Sequence, residues 1–286
     1  MPAPIVYHNG RYVPVAQAKI SLTDQGVLYG HGVFDTMRAY GGTVFRLAEH
    51  LDRLIANGAE AGIAIQGKRE AIAQAVAGVL RRNRLADARI RVTVTAGPGG
   101  DGPMLPAKGP PNIFVTCAEL APQLPKGYRA VIASARRSST SKTGRLKSTN
   151  YLESLLARAE AKSKGADEAI FLNERGAVAE GSASNVFFVR RGTLCTPSLE
   201  CGILAGVTRA VVLRLAREAG MRVHEGAFQR AALAGAEEAF LTNAVIEVMP
   251  VLTLDGQSIG SGKPGEATRR LQRAYAELVQ RETGAR

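Results

Sequence analysis

The residue with the clearest chemical potential in this chain is Lys147, in the stretch Arg145-Leu146-Lys147-Ser148-Thr149-Asn150-Tyr151. Between residues 121 and 152 the chain contains seven Lys and Arg but no Asp or Glu. Neighbouring positive charge and the positive end of a following helix both lower the pKa of a lysine ammonium group. Such a lysine can act as a nucleophile or form a Schiff base. Taken alone, Lys147 fits a solvated basic loop better.

Four other stretches carry side chains that could serve the same site. Glu180 precedes Gly181-Ser182-Ala183-Ser184-Asn185, and small neighbours let a carboxylate approach a flat ring closely. Residues 201–209 run from a glycine-bearing loop into a predicted helix, where backbone amides and the Thr208 hydroxyl could bind phosphate. Thr242 at a strand end and Arg53 on a helix are further candidate anion ligands. Each stretch alone also fits an ordinary turn, helix start or surface arginine.

Hydrophobic periodicity predicts strands and helices in alternation on both sides of these residues. The first half reads as a hairpin turned at Asn9-Gly10, followed by strands at 33–40, 89–96 and 112–117 and helices at 48–61 and 69–83. The second half reads as strands at 129–135, 167–172, 177–180, 185–189 and 239–242 with helices at 151–164, 207–219 and 265–280. Asn150 and Glu153 resemble a capping box at the start of helix 151–164.

These elements predict an α+β (mixed α/β) fold in two domains. We place a small N-terminal α+β domain at residues 1–120, a proline-bearing linker at 121–127, and a larger α/β domain at 128–286.

Composition excludes several classes of protein. The chain has 286 residues with 45% hydrophobic and 22% charged residues, which are globular values. We expect no membrane span, no signal peptide, and therefore a cytoplasmic location. The three cysteines indicate reduced thiols, and the four scattered histidines argue against a metal site. Glycine-rich stretches at 97–100 and 260–264 lack the P-loop pattern.

The formal net charge of +12 favours an anionic partner. A nucleic acid is one candidate, but the basic residues are spread along the chain, aromatic residues are only 5%, and no nucleic-acid motif occurs. We therefore expect an anionic cofactor or substrate and no nucleic acid.

The order of the motifs resembles the fold-type IV pyridoxal-phosphate enzymes, which include branched-chain aminotransferases, D-amino acid aminotransferases and 4-amino-4-deoxychorismate lyases. The resemblance extends from about Tyr7 to Pro250, and in chain order the motifs read Tyr-Gly-x-Gly-x-Phe, His-Leu-Asp-Arg-Leu, Lys-Ser-x-Asn-Tyr, Glu-Gly-x-x-x-Asn, Gly-Val-Thr-Arg and Thr-Asn-x-x-x-Glu-Val-x-Pro-Val. The resemblance implies two α+β domains, with pyridoxal 5′-phosphate in the cleft between them and held mainly by the C-terminal domain. It also implies a homodimer.

The resemblance also implies roles for individual residues. Lys147 matches the catalytic lysine that binds the cofactor as a Schiff base and later moves a proton, and Glu180 matches the carboxylate facing the pyridine nitrogen. The remaining cofactor contacts are implied at Arg53, Tyr151, Leu204, Val207, Thr208 and Thr242. Substrate contacts are implied at Tyr29, Phe34, Thr36, Arg38, Arg91 and Asn243.

The motifs leave the choice within the family open. The Lys-x-x-Asn-Tyr spacing resembles the lyases and the D-amino acid enzymes more than branched-chain enzymes. Thr36 matches a lyase threonine, but the lyase arginine is missing from residues 97–101. The Arg-x-His motif of D-amino acid enzymes is missing from residues 92–97. Arg38 and Arg91 match arginines of branched-chain enzymes and could clamp a dicarboxylate.

We therefore expect an aminotransferase that moves an amino group between a branched-chain-like amino acid and a 2-oxo acid such as 2-oxoglutarate. The alternative is a 4-amino-4-deoxychorismate lyase that releases p-aminobenzoate and pyruvate. A basic nucleic-acid-binding protein is a third hypothesis, which leaves the ordered motifs unexplained.

Overall fold

The structure, a computed structural model, describes residues 3–99, 102, 105–107, 109–120 and 125–285. The chain forms two compact units. The first contains Met1–Ala121, Leu146–Asn150 and Val279–Arg286, and the second contains Pro122–Arg145 and Tyr151–Leu278. Part of the predicted linker, residues 121–124, lies outside the described residues. The predicted domains 1–120 and 128–286 are continuous, whereas the first unit takes two short segments from the later part of the chain.

The first unit is built on an antiparallel six-stranded sheet in the order β2-β1-β6-β5-β3-β4. Its strands are β1 Ile5–His8, β2 Arg11–Pro14, β3 Gly32–Tyr40, β4 Thr43–Val44, β5 Ala88–Thr95 and β6 Asn112–Glu119. Its helices are α1 Gln25–Leu28, α2 Leu47–Glu60 and α3 Arg69–Asn83. The predicted hairpin is present, because Asn9 and Gly10 both adopt positive φ, at 45° and 89°, as a tight hairpin turn requires.

Alternation along β3 and β5 separates the two faces of this sheet. Val33 and Met37 point into a core that α2 and α3 cover, together with Ile90 and Val92 of β5. Successive residues point to opposite faces, so Phe34, Thr36 and Arg38 lie on the other face. There the register pairs Phe34 with Thr93, Thr36 with Arg91, and Arg38 with Arg89. The first unit therefore has one apolar face and one rich in arginine and threonine.

The second unit is built on a nine-stranded mixed sheet. Its strands are β7 Tyr128–Arg137, β8 Glu168–Asn173, β9 Val178–Gly181, β10 Asn185–Arg190, β11 Thr193–Pro197, β12 Val223–Gly226, β13 Glu238–Asn243, β14 Glu247–Leu254 and β15 Gln257–Ser258. Its helices are α4 Lys142–Arg145, α5 Leu152–Ser163, α6 Val207–Glu218, α7 Arg230–Ala234 and most of α8 Glu266–Thr283. Because β9 pairs with both β8 and β10, six strands close into a ring through β13, β14 and β7.

The mixed α/β class is confirmed, but four strands were not predicted, namely β11, β12, β14 and the two-residue strand β15. The strands β11 and β12 are short, with five and four residues. Strand β14 contains Pro250, which normally argues against a paired strand, yet Pro250 stands opposite Phe240 of β13. Within the described ranges, no helix combines the length and the apolar character that a membrane crossing requires.

The predicted capping box before α5 is wrong. Helix α5 begins at Leu152, its N-cap position is Tyr151, and no side chain caps it. Asn150 instead donates from Nδ2 to the carbonyl oxygen of Gly30 at 3.2 Å. Glu153 pairs with Arg137, with 2.9 Å between Oε2 and Nη1. Long-range partners therefore take both side chains away from the helix start.

Candidate active site

The backbone around Lys147 is hydrogen-bonded to the start of β3. Phe34 N donates to the carbonyl oxygen of Lys147 at 2.9 Å, and Thr149 N donates to that of Gly32 at 2.9 Å. Ser148 forms an antiparallel bridge with Val33. Residues 146–150 thus extend the sheet of the first unit, so Lys147 stands on an ordered edge rather than in a free basic loop.

The Tyr-Gly-x-Gly motif makes room for this segment. Gly30 has φ +66°, and a Cβ there would lie 2.1 Å from Oδ1 of Asn150. A Cβ on Gly32 would lie 3.0 Å from Oγ1 of Thr149. That hydroxyl donates to the Gly30 carbonyl at 2.7 Å. Only glycine permits both the left-handed backbone and the close approach at Gly30.

Several predicted substrate residues lie on the polar face of the first unit. The Lys147 Nζ atom is 4.8 Å from the centroid of the Phe34 ring, and the guanidinium carbon of Arg91 is 3.5 Å from the same centroid. Arg91 also donates from Nε to Oγ1 of Thr93 at 3.1 Å. These cation–π contacts fix two positive groups beside one aromatic ring.

The other substrate candidates of the first unit are less closely grouped. Arg38 lies on the same face, with its guanidinium carbon 4.5 Å from the Tyr40 ring centroid. Thr36 stands between Phe34 and Arg38 on β3 and is partly buried. Tyr29 follows α1 and is 46% exposed.

Arg53, a predicted phosphate ligand, is bound to a buried carboxylate that the sequence analysis missed. Its Nε donates to Oδ2 of Asp35 at 2.8 Å and its Nη2 donates to Oδ1 at 2.8 Å. His50 Nδ1 lies 2.8 Å from the same Oδ1 atom. Burial alone raises the pKa of Asp35, but the Arg53 charge and the hydrogen bonds from His50 and Arg53 outweigh it and hold that pKa well below its usual range. Asp35 is thus an anion that orients Arg53.

In the second unit, Glu180 on β9 is buried and held by its neighbours. Its Oε2 accepts from Leu204 N at 3.0 Å. Its Oε1 lies 3.8 Å from Nε of Arg137, whose guanidinium carbon is 4.4 Å from the Phe171 ring centroid. Sequence reasoning did not single out Arg137, because nothing local distinguishes it from the other arginines of the basic stretch.

Tyr151 is oriented by the turn that follows Glu180. Its hydroxyl donates to the carbonyl oxygen of Ser182 at 3.1 Å. Burial raises the pKa of the Tyr151 phenol, and the carboxylates of Glu180 and Glu168 raise it further. The phenol therefore stays protonated near neutral pH and acts as a hydrogen-bond donor.

The start of α6 has the features of an anion site. Helix α6 begins at Val207 with no side-chain cap, so its first amides are not satisfied in that way. Thr208 in its first turn is buried. Gly206, just before the helix, packs so closely on Asn185 that a Cβ on Gly206 would lie 2.0 Å from Oδ1 of Asn185. Asn185 in turn stands opposite Thr242 in the sheet. Asn185 therefore links this helix start to Thr242.

The Thr242 hydroxyl indicates most clearly that this region could bind an anion. Its Oγ1 atom is buried and has no hydrogen-bond partner among the described residues. Buried hydroxyls nearly always have a partner. An anionic oxygen at this point would satisfy both Thr242 and the first amides of α6. These residues therefore fit a phosphate group.

The side chain of Asn243, a predicted substrate residue, is hydrogen-bonded to the backbone of turns in the second unit. Its Nδ2 donates to the carbonyl oxygen of Ala183 at 2.9 Å. Its Oδ1 accepts from Val245 N at 2.8 Å and Ile246 N at 2.9 Å. These bonds give its side chain a clear structural role.

Comparison with known proteins finds one family throughout. The family model of class IV amino-transferases matches residues 32–254. A Methanocaldococcus jannaschii protein, provisionally named a branched-chain-amino-acid aminotransferase, is 40% identical over 276 residues, which cover 96% of either chain. The aminodeoxychorismate lyase of Bacillus subtilis is 36% identical over 278 residues, covering 96% of this chain and 94% of that protein.

A solved structure agrees over nearly the whole chain. The branched-chain amino acid aminotransferase of Thermobaculum terrenum, in its PLP-bound holo form, has a TM-score of 0.87 at 31% identity, covering 97% of this chain and 94% of that one. The resemblance inferred from the ordered motifs is thereby confirmed.

Proposed function

The chain belongs to the class IV aminotransferase family, and on this premise we propose that it is a pyridoxal-phosphate-dependent aminotransferase. The observation that carries the proposal is the placement of Lys147. Its backbone is paired to β3 and its ammonium group lies beside Phe34, on the ring that Arg91 also contacts. A nucleophilic amine next to a fixed cation suits an amino acid substrate, whose carboxylate the cation would bind.

Several of the predicted residues would hold the cofactor. Its phosphate would bind the first amides of α6 at Val207 and Thr208, the Thr242 hydroxyl, and Arg53. Glu180 would place its negative charge at the ring nitrogen, Tyr151 would donate to the ring oxygen, and Leu204 would pack on the ring. When bound, the cofactor supplies an electron sink for the charge that develops at the substrate Cα.

Lys147 has two tasks in this scheme. It would hold the cofactor covalently, and it would carry the proton that leaves the substrate Cα. The carbonyl oxygen of Lys147 and the amide of nearby Thr149 are each hydrogen-bonded to β3, so we expect the Nζ atom to move mainly through side-chain rotation. Such fixation keeps a proton carrier within reach of both positions.

We propose a branched-chain-like amino acid as donor and 2-oxoglutarate as acceptor. Arg38 and Arg91 are on one face of the sheet, two positions apart in the register with β3, and could bind the two carboxylates of a dicarboxylate. Names of similar proteins support this choice, since the M. jannaschii and T. terrenum proteins are both named branched-chain aminotransferases.

The alternative is an aminodeoxychorismate lyase, supported by the B. subtilis relative and by Thr36 on the polar face. A direct assay separates the two. The aminotransferase should move the amino group of L-leucine to 2-oxoglutarate and release no pyruvate from aminodeoxychorismate. D-Alanine should be tested as a second donor. Pyruvate release without amino transfer would favour the lyase and reject the main proposal.

The Thr242 hydroxyl allows a prediction about cofactor affinity. In Thr242→Val we expect the dissociation constant of pyridoxal phosphate to rise by roughly 10–100-fold, since a hydrogen bond to a charged group contributes about 1.5–3 kcal/mol. The melting temperature of the cofactor-free protein should not fall, because the hydroxyl has no described partner to lose. Fluorescence titration and thermal melting would measure the two quantities. Unchanged affinity would remove Thr242 from the phosphate site.

A homodimer in the cytoplasm is part of the proposal. The location is supported by the three cysteines Cys117, Cys195 and Cys201, all of which are free thiols. The dimer is supported by apolar side chains on α5: Leu152, Leu155 and Leu156 are 68%, 56% and 62% exposed. Their spacing places them on one face of the helix. Exposed apolar clusters of this kind mark interaction surfaces.

We therefore expect Leu155→Glu to weaken self-association, because a charge would be buried in an apolar contact. Sedimentation velocity should show the wild-type protein as a dimer and the variant shifted towards monomer at micromolar concentration. Lys162→Ala, on the same helix and with the same change in charge, is the control and should remain dimeric. A variant that stays as dimeric as the control would exclude this face of α5 from the interface.

A further inference from the structure

The second unit contains a buried carboxylate that neither the motifs nor the proposed mechanism uses. Glu168, the first residue of β8, is only 4% exposed. Among the described residues it forms no ion pair and instead accepts four hydrogen bonds. Ala169 N donates at 3.0 Å, Ser182 N at 3.2 Å, Ser184 Oγ at 3.2 Å, and Ser182 Oγ is also a donor. A buried carboxylate is tolerated where donors satisfy both oxygens in this way.

Three of these four donors belong to one tight turn between β9 and β10. Gly181 N donates to the carbonyl oxygen of Ser184 at 2.7 Å and closes the turn. A Cβ on Gly181 would lie 2.2 Å from Oγ of Ser184 and 3.4 Å from Oε2 of Glu168. The turn is thus wrapped around the carboxylate with no room for a larger residue.

The same turn orients several predicted cofactor contacts. Its carbonyl oxygens accept from the Tyr151 hydroxyl at 3.1 Å, through Ser182, and from Asn243 Nδ2 at 2.9 Å, through Ala183. Glu180 precedes the turn and Asn185 follows it. Both bind the backbone of Leu204, Glu180 at the amide and Asn185 at the carbonyl. Three contacts of the cofactor ring therefore meet at the turn that Glu168 holds.

We propose that Glu168 is a positioning residue: its carboxylate fixes the turn at residues 181–184 and thereby the orientation of Glu180 and Tyr151 towards the cofactor. The inference rests on the proposed function, because it concerns groups that would contact pyridoxal phosphate. A purely structural role would lower the stability of the protein and leave the electronic environment of the cofactor unchanged.

Glu168 also acts on Tyr151 through space. Burial makes the largest contribution to the raised pKa of the Tyr151 phenol, followed by the charges of Glu180 and Glu168, while the charges of Arg137 and Arg158 lower it. Exchanging the Glu168 carboxylate for an amide keeps its size and removes its charge. The pKa of Tyr151 should then fall, because the substitution removes one of the negative charges that raise it.

The test compares Glu168→Gln with a matched variant, Glu238→Gln. Glu238 is also a carboxylate that accepts backbone and hydroxyl donors, from Ala267 N at 3.1 Å, Thr268 N at 2.8 Å and Thr268 Oγ1 at 2.7 Å. These donors belong to the start of α8. Both variants should lower the melting temperature.

Only Glu168→Gln should lower kcat, by roughly 10–100-fold with KM nearly constant, as expected when reacting groups are misplaced by about 1 Å. It alone should also move the pH midpoint of the visible absorption of the bound cofactor. Should Glu168→Gln fail to fold, Ser184→Ala removes a single donor and should shift the same midpoint by a smaller amount. Wild-type kcat and absorption in Glu168→Gln, or equal changes in Glu238→Gln, would overturn the proposal.

A readout without cofactor separates this inference from the proposed function. In full-length cofactor-free protein labelled with 13Cζ-tyrosine, the NMR signal of Tyr151 is the one missing from Tyr151→Phe. It should titrate at lower pH in Glu168→Gln than in the wild type, and an unmoved titration would overturn the inference. A wild-type protein that binds no pyridoxal phosphate would reject the proposed function, while this titration would still decide whether Glu168 acts on Tyr151.

Discussion

Lys147→Ala should lower the rate of amino transfer by roughly 10⁴-fold or more, because it removes both the covalent attachment of the cofactor and the group that moves the proton. The variant should still bind pyridoxal phosphate through the phosphate ligands. Borohydride should reduce the Schiff base of the wild-type protein to a stable secondary amine, so that the yellow colour is bleached and a phosphopyridoxyl group stays covalently bound after denaturation, whereas the variant should keep no such label. Single-turnover kinetics and mass spectrometry of the reduced protein would measure both effects.

Lys142→Ala is the matched control, since Lys142 lies in the same basic stretch and starts the short helix α4. It should retain wild-type activity and the borohydride label. Substantial residual activity in Lys147→Ala, or a covalent label on another lysine, would reject the assigned role of Lys147.

Asp35→Asn should lower the free energy of unfolding by about 3–5 kcal/mol, the usual cost of removing one partner of a buried ion pair. Asp35 is fully buried, and the change would remove the carboxylate charge that the largely buried Arg53 guanidinium contacts. Urea denaturation followed by circular dichroism would measure the loss. Because Arg53 is also a proposed phosphate ligand, the affinity for pyridoxal phosphate should fall in parallel.

The effect of Asp35 should depend on pH in one direction. Its pKa is lowered in the folded protein, so its stabilising contribution is fully present above its ordinary value of 3.8 and is lost as the pH falls through the folded value. The difference between wild type and Asp35→Asn should therefore be constant near neutral pH and shrink below about pH 4.

A surface pair provides the control for this prediction. Asp52 binds Arg69 with 2.7 Å between Oδ1 and Nε, but its side chain is 62% exposed. Asp52→Asn should cost less than about 1 kcal/mol, because water screens exposed ion pairs. Equal losses in the two variants would show that the buried pair has no special energetic role.

Local patterns predicted the elements of this fold well. The hairpin at Asn9-Gly10 and the helix at residues 69–83 follow from turn chemistry and from apolar spacing, both of which lie within a short stretch of chain. The capping box at Asn150 failed because Gly30, far away in sequence, supplies a competing acceptor. Strand β14 was not predicted because Pro250 interrupts the sequence pattern that is typical of a paired strand.

In the candidate site too, some residues could be recognised from their local sequence, and others only from their contacts in the folded chain. Lys147, Glu180 and Thr242 stand in recognisable motifs and could be singled out from sequence, although their roles remain proposals. Arg137 and Glu168 have no local signal. They matter through partners that only the folded chain brings near, such as Glu180 for Arg137 and the turn at residues 181–184 for Glu168.

The first unit is assembled from separate segments of the chain, and this has a consequence for folding during synthesis. The outer edge of Gly32–Phe34 is completed by residues 146–150, and Thr149 lies 119 positions from its partner Gly30. On the ribosome, this edge of β3 must therefore wait for more than a hundred further residues before it is paired. Contacts of such sequence separation slow folding, and an open strand edge invites association with other chains. A nascent chain that stalls before residue 147 would expose this edge and also lack the lysine on which the proposed chemistry depends.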